Sequence, residues 1–352
     1  MSKANPGNFF EDFRLGQEIR HVVPRTVGAG DVALYTALYG GRFAVNASAE
    51  FARGIGFSAA PVDDLLVFHI VFGKTVPDIS LNAVANLGYA EGRLPVPVYP
   101  GDTLAATSRV IGLRENANRQ TGVVYVRSVG TNQRGETVAD YVRWVMVRKR
   151  DPQASAPPET VPELRPAVAA GDIVPPVGLD LSGYDAALAG SPHLWDDYAK
   201  GERIDHIDGV TVEEAEHMMA TRLYHNTARV HFNQHSEGQG RFGRRLVYGG
   251  HVISIARALS FNGLANGFRL AAINGGRHVA PVFAGDTLYA WTEVVERLEL
   301  PGRDDVGALR LRTVAAKNHP CDAFPDKDEG GKGFHPAVVL EFDYSVLMPR
   351  RR

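Results

Sequence analysis

The residues with the clearest capacity for chemistry lie in the stretch YHNTARVHF, Tyr224 to Phe232. An amide, Asn226, precedes an imidazole, His231, and a turn containing Gly249 and Gly250 then opens into an apolar helical pattern. An amide can hold a water molecule, and an imidazole can move its proton. Free N–H groups at a helix N-terminus stabilise negative charge that develops on an oxygen. Together these groups suit the addition or removal of water beside a thioester carbonyl.

The same stretch resembles the signature of the MaoC-like dehydratases, the (R)-specific enoyl-CoA hydratase family. Asn226 stands where that family has its catalytic Asp, and His231 stands where it has its catalytic His. Gly249, followed by Gly250, falls on the turn glycine whose N–H faces the thioester oxygen, and Tyr248 replaces the His that precedes this glycine. The sequence of the segment VYGGHVISIARALSFNGLAN and the length of the chain are most similar to the mesaconyl-CoA hydratase (β-methylmalyl-CoA dehydratase) branch of the family.

Asn226 departs from the family pattern, because an amide cannot act as a base. We therefore expect Asn226 to orient water and His231 alone to titrate, with a pKa near its reference value of about 6.5. We expect Gly249, Gly250 and Tyr248 to contact the substrate, with an amide N–H facing the developing oxyanion.

Composition restricts the classes of function. The chain has 352 residues, of which 44% are hydrophobic and 22% charged, with a net charge of −2. This balance is typical of a globular protein and argues against nucleic acid as the main partner. The single cysteine, Cys321, cannot form an internal disulfide, which fits a reducing cytoplasm. The longest apolar run, Leu65 to Phe72, is too short to cross a membrane.

An internal repeat organises the whole chain. FEDFRLGQEI, from Phe10, returns as WDDYAKGERI, from Trp195, at an offset of 185 residues. On the same diagonal GVVYVRSV becomes GALRLRTV, and with one residue deleted GRLPVPVYPGDTL becomes GRHVAPVFAGDTL. So many matches on one diagonal indicate a fused tandem of two copies of one fold.

Each copy contains the same predicted elements. A strongly apolar helix, LLVFHIVF in the first copy and VISIARAL in the second, follows the motif loop. Three stretches of alternating or continuous apolar residues come next and predict strands. One buried helix against an antiparallel sheet is an α+β arrangement. It agrees with the fold that the resemblance implies, a tandem (double) hot-dog in which each central helix is wrapped by its sheet.

The repeat also predicts the domain boundaries. Residues 1–150 form the N-terminal copy, and residues 194–352 form the C-terminal copy that carries the motif. Residues 151–193 form an extended connector that carries eight of the 21 prolines. A second irregular stretch, His319 to His335, predicts a solvent loop between strands, with Cys321 as a loop thiol of no function.

The first copy lacks the chemical groups of the second. Gly41 and Asn46 stand at the positions of Asn226 and His231, and neither can transfer a proton near neutral pH. We expect the first copy to be catalytically silent and to shape the pocket for the acyl group. Pure scaffolding is the other interpretation of its role.

Several residues compete for a role at the site. His225, His235 and His251 lie close to the motif, and each has a structural interpretation as well. Asp63 and Asp64 begin the first central helix and are most simply N-cap residues. If they face the second copy, one of them supplies the carboxylate that the motif lacks.

Arginines near the motif suit a substrate carboxylate. Arg222, Arg229 and Arg257 lie beside the motif or on the second central helix, and any that points inward suits a bidentate pair. Arg277 belongs to a Gly-Arg pair that recurs at Arg93. Substrate binding and a structural ion pair both explain this doubled arginine.

These observations favour a hydro-lyase, a reversible hydratase of a short branched α,β-unsaturated acyl-CoA thioester. A hot-dog thioesterase and a non-catalytic acyl-CoA-binding protein are the alternatives. No metal site is predicted, because the histidines lack ligand spacing and a second cysteine is absent. We expect no cofactor beyond the coenzyme A of the substrate, no nucleic-acid or membrane partner, and a cytoplasmic location. Whether the tandem forms a homodimer stays open.

Overall fold

The computed structural model describes residues 3–351, and its elements repeat between the two copies. In the first copy they are helices α1 (Ala29–Tyr39), α2 (Ala44–Ala47), α3 (Ala49–Gly54) and α4 (Asp64–Thr75), and strands β1 (Glu18–Thr26), β2 (Ala83–Arg93), β3 (Thr103–Glu115), β4 (Thr121–Thr131) and β5 (Thr137–Arg148).

In the second copy they are helices α5 (Glu214–Leu223), α6 (Gln234–Glu237), α7 (Gly249–Leu259) and α8 (Phe261–Leu264), and strands β6 (Arg203–Thr211), β7 (Arg269–His278), β8 (Thr287–Glu299), β9 (Val306–Lys317) and β10 (Val338–Pro349). No helix of the described range is both long and apolar enough to cross a membrane.

The strands form one antiparallel sheet in the order β1-β3-β4-β5-β2-β7-β10-β9-β8-β6. The order within each copy is the same, and the copies join edge to edge where β2 pairs with β7. Tyr89 lies opposite Gly276 and Arg93 lies opposite Ala272 along this joint. The predicted α+β double hot-dog, with two sheets meeting at their edges, is confirmed.

The two central helices, α4 and α7, pack against each other in the middle of the protein. Every residue of α4 from Leu65 to Thr75 is buried, as its unbroken apolar pattern predicts. His69 Nε2 lies 3.1 Å from Ser254 Oγ, and these residues are 185 positions apart. The contact therefore joins equivalent positions and marks the pseudo-two-fold axis between the copies.

A glycine allows the first copy to approach the motif loop closely. A Cβ atom on Gly73, near the end of α4, would lie 1.8 Å from the carbonyl oxygen of Tyr224. Only glycine fits such a backbone approach. The last turn of α4 thus lies directly against the residues that precede Asn226.

The connector packs into the protein. Its regular structure is limited to short 3₁₀ turns and one β-bridge. Four of its apolar side chains are buried against α3 and against strands of the second copy: Val168, Ile173, Leu179 and Leu181. The prolines prevent long elements, while the apolar residues between them fill the groove between the two copies.

The stretch from His319 to His335 is an irregular loop between β9 and β10, as expected, and most of it is exposed or half-buried. Two of its residues are nevertheless buried, Cys321 and Pro325. Cys321 is only 1% exposed, and burial raises the pKa of its thiol to about 12. Trp291 Nε1 donates to the carbonyl oxygen of Pro325 at 2.9 Å. The loop is held because it covers this tryptophan, which would otherwise expose a large apolar surface.

Candidate active site

The motif loop begins where α5 ends and fixes the orientation of Asn226. The Asn226 N–H donates to the carbonyl oxygen of Thr221 at 3.1 Å, and its Oδ1 accepts the N–H of Ala228 at 3.0 Å. Because the Ala228 N–H needs an acceptor, the amide oxygen of Asn226 must face its own loop. The side chain is 3% exposed, and its Nδ2 amino group is left as the donor for a ligand.

His231 ends a short 3₁₀ turn, Arg229–His231, and is 8% exposed. Its Nδ1 lies 2.7 Å from the carbonyl oxygen of Leu246. Since a carbonyl only accepts, Nδ1 carries the proton and Nε2 keeps a lone pair. Burial lowers the pKa of His231 to about 4, and the bond to Leu246 opposes this shift only in part. The expected pKa near 6.5 is therefore wrong for this site, and the imidazole is a neutral base at physiological pH.

The segment before α7 is held on both sides. The Leu246 N–H donates to the carbonyl oxygen of Val230, and the Val247 N–H donates to that of Val282, both at 3.0 Å. Gly249 and Gly250 then occupy the first two positions of α7. Amide groups at these positions have no partner within the helix, so they can face a negative charge.

A second imidazole, His278, lies against the start of α7. A Cβ atom on Gly249 would fall 2.3 Å from the His278 ring, so the two residues are in direct contact. Tyr89 of the first copy places its hydroxyl 3.4 Å from His278 Nε2, and burial lowers the pKa of His278 to about 4. The sequence analysis missed His278. The repeat does contain an indication of His278. The first copy has Leu94 at the equivalent position, so the imidazole is specific to the copy that carries the motif.

Tyr248 forms a wall between the imidazole and the first copy. It is 5% exposed, and its ring centroid lies 5.5 Å from that of His231 and 5.7 Å from that of Phe72 on α4. Its hydroxyl is 3.5 Å from His69 Nδ1. The side chain that lies against the predicted base is thus itself packed against residues of the first copy.

A pocket of about 550 Å³ opens beside Asn226. Val23 and Lys74 of the first copy line one side, and Arg222 and Arg229 line the other. The pocket therefore lies between the copies, with the exposed arginines Arg222 and Arg229 at its rim. Lys74 is buried and donates to the Val23 carbonyl oxygen, and Asp78 also lines the pocket. The two arginines give this rim a positive charge. Such a rim suits an elongated ligand that carries phosphate groups.

Arg277 does not join this site. It is exposed on β7 and lies with its guanidinium carbon 5.9 Å from the centroid of the Phe334 ring. Successive side chains of a strand point to opposite faces, so the inward position of His278 turns Arg277 outward. Its equivalent Arg93 pairs with Asp140 at 2.8 Å, which favours the structural interpretation of the doubled arginine.

The two acidic candidates lie at the other end of the helix pair. Asp63 Oδ1 accepts the Leu65 N–H at 2.8 Å, so Asp63 is the N-cap of α4. Asp64 does face the second copy, where it lies 3.3 Å from Arg269 and accepts the Leu270 N–H at 3.0 Å. These bonds fix the start of β7, and neither carboxylate replaces the motif Asp.

The competing histidines have other surroundings. His251 is buried, and its Nδ1 lies 2.8 Å from the Tyr39 hydroxyl, which in turn lies 2.6 Å from the Tyr224 hydroxyl. His235 is exposed on α6, and His225 is exposed at the edge of the pocket. Among these three, only His225 borders the pocket.

The equivalent positions of the first copy hold no proton carrier. Asn46 donates from Nδ2 to the carbonyl oxygen of Pro61 at 3.0 Å. Gly41 offers only backbone groups. Within residues 3–351, no cluster of three or more His, Cys, Asp or Glu side chains suits a metal ion.

Comparison with known proteins follows from this geometry. The family model described as mesaconyl-CoA hydratase matches residues 2–325. The chain belongs to this family. It is 65% identical over 350 residues to the β-methylmalyl-CoA dehydratase of Chloroflexus aurantiacus, with 99% of each chain covered. It is 61% identical over 350 residues to the mesaconyl-CoA hydratase of Cereibacter sphaeroides, with 99% of this chain and 100% of the relative covered.

Solved structures agree with the fold. A crystal structure from Chloroflexus aurantiacus, described as a MaoC domain protein dehydratase, has a TM-score of 0.98 and 64% identity, with both chains fully covered. A Mycobacterium tuberculosis protein with a double hot-dog fold has a TM-score of 0.74 and 24% identity, with 97% of this chain and 98% of that chain covered. At that identity the second likeness supports the fold alone.

Proposed function

We propose that this protein catalyses the reversible hydration of a short branched α,β-unsaturated acyl-CoA, converting a mesaconyl-CoA type of substrate to the β-methylmalyl-CoA type. The observation that carries the proposal is the fixed tautomer of His231. The Leu246 carbonyl oxygen accepts a hydrogen bond from Nδ1–H at an N···O distance of 2.7 Å, and Nε2 is left as a base beside the start of α7. The two close relatives named for this reaction support the choice of substrate.

In the hydration direction, His231 Nε2 takes a proton from water as the water oxygen bonds to the β-carbon. The C=C electron pair moves toward the thioester, and the carbonyl oxygen gains negative charge. The Gly249 and Gly250 N–H groups stabilise that charge. The α-carbon then takes a proton from the imidazolium of His231, which restores the neutral base. Dehydration follows the same steps in reverse.

Asn226 has a positioning role in this proposal. Its oxygen is engaged with the Ala228 N–H, so its Nδ2 donates to the water oxygen and directs a lone pair at the β-carbon. An amide adds no proton transfer. Acid-base catalysis by His231 therefore accounts for a rate enhancement of about 10² to 10⁴. Charge stabilisation and orientation supply the rest of the rate enhancement.

The pocket beside Asn226 is the proposed path for coenzyme A. Arg222 and Arg229 line it, are exposed, and suit the phosphate groups of coenzyme A. Coenzyme A enters as part of the substrate, and the proposed steps need no other cofactor. We also propose a cytoplasmic location, which the lone, buried Cys321 supports. Sedimentation of the purified chain tests whether two tandem chains form a homodimer.

Incubation with mesaconyl-CoA tests the function directly. The enoyl absorbance and the free thiol are followed together. Hydration lowers the enoyl absorbance without releasing thiol, and this is the expected result. Release of thiol would instead identify a thioesterase, and a constant signal in both channels would identify a binding protein.

A further inference from the structure

Arg143, on β5 of the first copy, is 0% exposed and is one of the largest fully buried side chains. Its Nη2 donates to Thr75 Oγ1 at 2.7 Å and to Ser80 Oγ at 3.3 Å. Its Nε and Nη1 have no hydrogen-bond partner. None of the ion pairs found within residues 3–351 includes Arg143. The interior of the protein therefore holds a guanidinium without a counter-ion.

A second buried arginine shows how the chain satisfies such a group itself. Arg257, on α7, is 7% exposed and donates to Ser260 Oγ at 3.1 Å and to the carbonyl oxygen of Gly267. Its guanidinium also stacks on the Phe43 ring, 3.7 Å from the centroid. A buried charge with unused donors is strongly unfavourable unless an anion joins it. The contrast with Arg257 indicates that the partner of Arg143 is a ligand.

Arg143 and the proposed base are neighbours of the same group of aromatic side chains. Its guanidinium carbon is 4.2 Å from the centroid of the Phe72 ring, and Phe72 contacts Tyr248. Tyr248 in turn contacts His231. Across the sheet, Arg143 pairs with Tyr89, whose hydroxyl faces His278. The aromatic side chains beside Arg143 are therefore the ones that also lie beside the start of α7.

Tyr141 adds a neutral donor to the same place. It lies two residues before Arg143 on β5, so both side chains are on the same face of the sheet. Its hydroxyl is also buried, and it lies near Ser128 and Thr75 without a hydrogen bond of ordinary length and angle to either. The unused donors are therefore Arg143 Nε, Arg143 Nη1 and Tyr141 O–H. A carboxylate, with two oxygens and several lone pairs, can accept from all of them.

We propose that Arg143 binds the free carboxylate of the acyl group and so selects dicarboxylic over monocarboxylic substrates. This inference rests on the proposed function. In mesaconyl-CoA the free carboxylate is attached to the β-carbon, which receives the water oxygen. Holding that carboxylate between Arg143 and Tyr141 fixes the β-carbon relative to His231. The phosphates of coenzyme A do not suit this place, because it is enclosed by Phe72, Tyr89 and the other aromatic rings.

The test compares two substrates that differ at one group. In tiglyl-CoA a methyl group replaces the free carboxylate of mesaconyl-CoA. We expect Arg143→Gln to lower kcat/KM for mesaconyl-CoA by about 10²-fold or more, the usual loss for truncating one partner of a buried charge pair. We expect kcat/KM for tiglyl-CoA to stay within about 3-fold, since no carboxylate is lost. Arg257→Gln is the matched control, and it should lower the Tm while leaving the ratio of the two substrates unchanged.

An unchanged substrate ratio in a folded Arg143→Gln variant overturns the inference. If that variant fails to fold, the wild-type protein decides. Mesaconyl-CoA should raise its Tm more than tiglyl-CoA does at equal concentration, because only the mesaconyl group carries a free carboxylate that can pair with Arg143. Equal shifts would refute the inference. Failure of the wild-type protein to hydrate either CoA ester would instead refute the proposed function, and the Tm shifts with the two CoA esters would still decide the inference.

Discussion

The most informative prediction concerns the pH dependence of catalysis. Burial holds the pKa of His231 near 4, although its Nδ1 bond to Leu246 favours the protonated ring. The value of kcat/KM follows ionisations of the free enzyme, so it should follow this lowered pKa. An exposed histidine would titrate near pH 6.5. The buried base should therefore stay active far into the acid range.

The expected magnitude is large enough to measure. At pH 5.5, a histidine with a pKa of about 4 is neutral in about 97% of molecules, whereas one with a pKa of about 6.5 is neutral in about 9%. From pH 7.5 to 5.5, kcat/KM should thus fall by no more than a few per cent through this group. An unperturbed base would lose about tenfold over the same interval.

The assay is enoyl absorbance with mesaconyl-CoA at limiting concentration, from pH 5.5 to 8. Tryptophan fluorescence at each pH verifies that the protein stays folded during the measurement. His231→Ala should lose about 10² to 10⁴ in kcat/KM at every pH, since it removes the base. A fall in the kcat/KM of the folded wild type with a midpoint near pH 6.5 would refute the proposed effect of burial on His231. Near-normal hydration by His231→Ala would refute the assigned base.

Three further predictions follow from the same geometry. Asn226→Ala should lower kcat by less than His231→Ala does in the same assay, because it removes a donor to water and no proton transfer. Gly249→Ala should abolish hydration, since its Cβ would lie 2.3 Å from the His278 ring, and a melt close to wild type would show that the loss is local. Stability to urea should fall as pH drops from about 6.5 toward 4. Histidines whose folded pKa is lowered to about 4 or less stay neutral while the unfolded chain takes up protons, which costs about 1.4 kcal/mol per pH unit for each. The pKa of the Asp64 carboxyl is raised to about 6, so below that pH the folded protein takes up a proton before the unfolded chain does. This uptake offsets the loss of stability that one histidine causes. A constant urea midpoint between pH 7.5 and 5 would contradict this sum.

The sequence predicted the parts of the fold that have a strong periodic signal. The two central helices and the last three strands of each copy are apolar or alternate regularly, and the structure confirms them. These strands are β3 to β5 in the first copy and β8 to β10 in the second. The first two strands of each copy, β1 and β2 and their equivalents β6 and β7, were missed. In β1, Val22 and Val23 are exposed and Val23 has a positive φ of 61°, so the register shifts and the alternation fails. In β2, Ala, Gly and Asn residues and several register shifts leave no pattern to detect.

The motif predicted Asn226, His231 and the paired glycines, because their spacing along the chain is short. Arg143 and His278 could not be found in that way. Each lies on a strand distant from the motif in sequence, and only the packing of α4 and β7 against α7 brings them near. The repeated Gly-Arg pair indicated Arg277 and not its neighbour His278, because the direction of each side chain along a Gly-rich strand is not visible in the sequence.

The duplication explains why the two copies diverge at equivalent positions. Gly249 and Asp64 both occupy the first position of a central helix. In the second copy the glycine leaves room for the His278 ring beside the free amides. In the first copy the same position carries a carboxylate that holds Arg269 and the start of β7, so the helix end that performs no chemistry joins the copies instead.

Arginines and aromatic residues show the same exchange. Phe72 on α4 corresponds to Arg257 on α7, and Arg143 on β5 corresponds to Tyr344 on β10. Each copy therefore buries one arginine beside an aromatic ring, but on opposite elements. In the second copy the arginine is satisfied by its own chain, whereas Arg143 is not. A single hot-dog that pairs with an identical copy must place the same residues on both sides of its axis. The fused tandem is free of that constraint. The proposed base, His231, and the arginine proposed to bind the substrate carboxylate, Arg143, can therefore lie on different copies around one substrate.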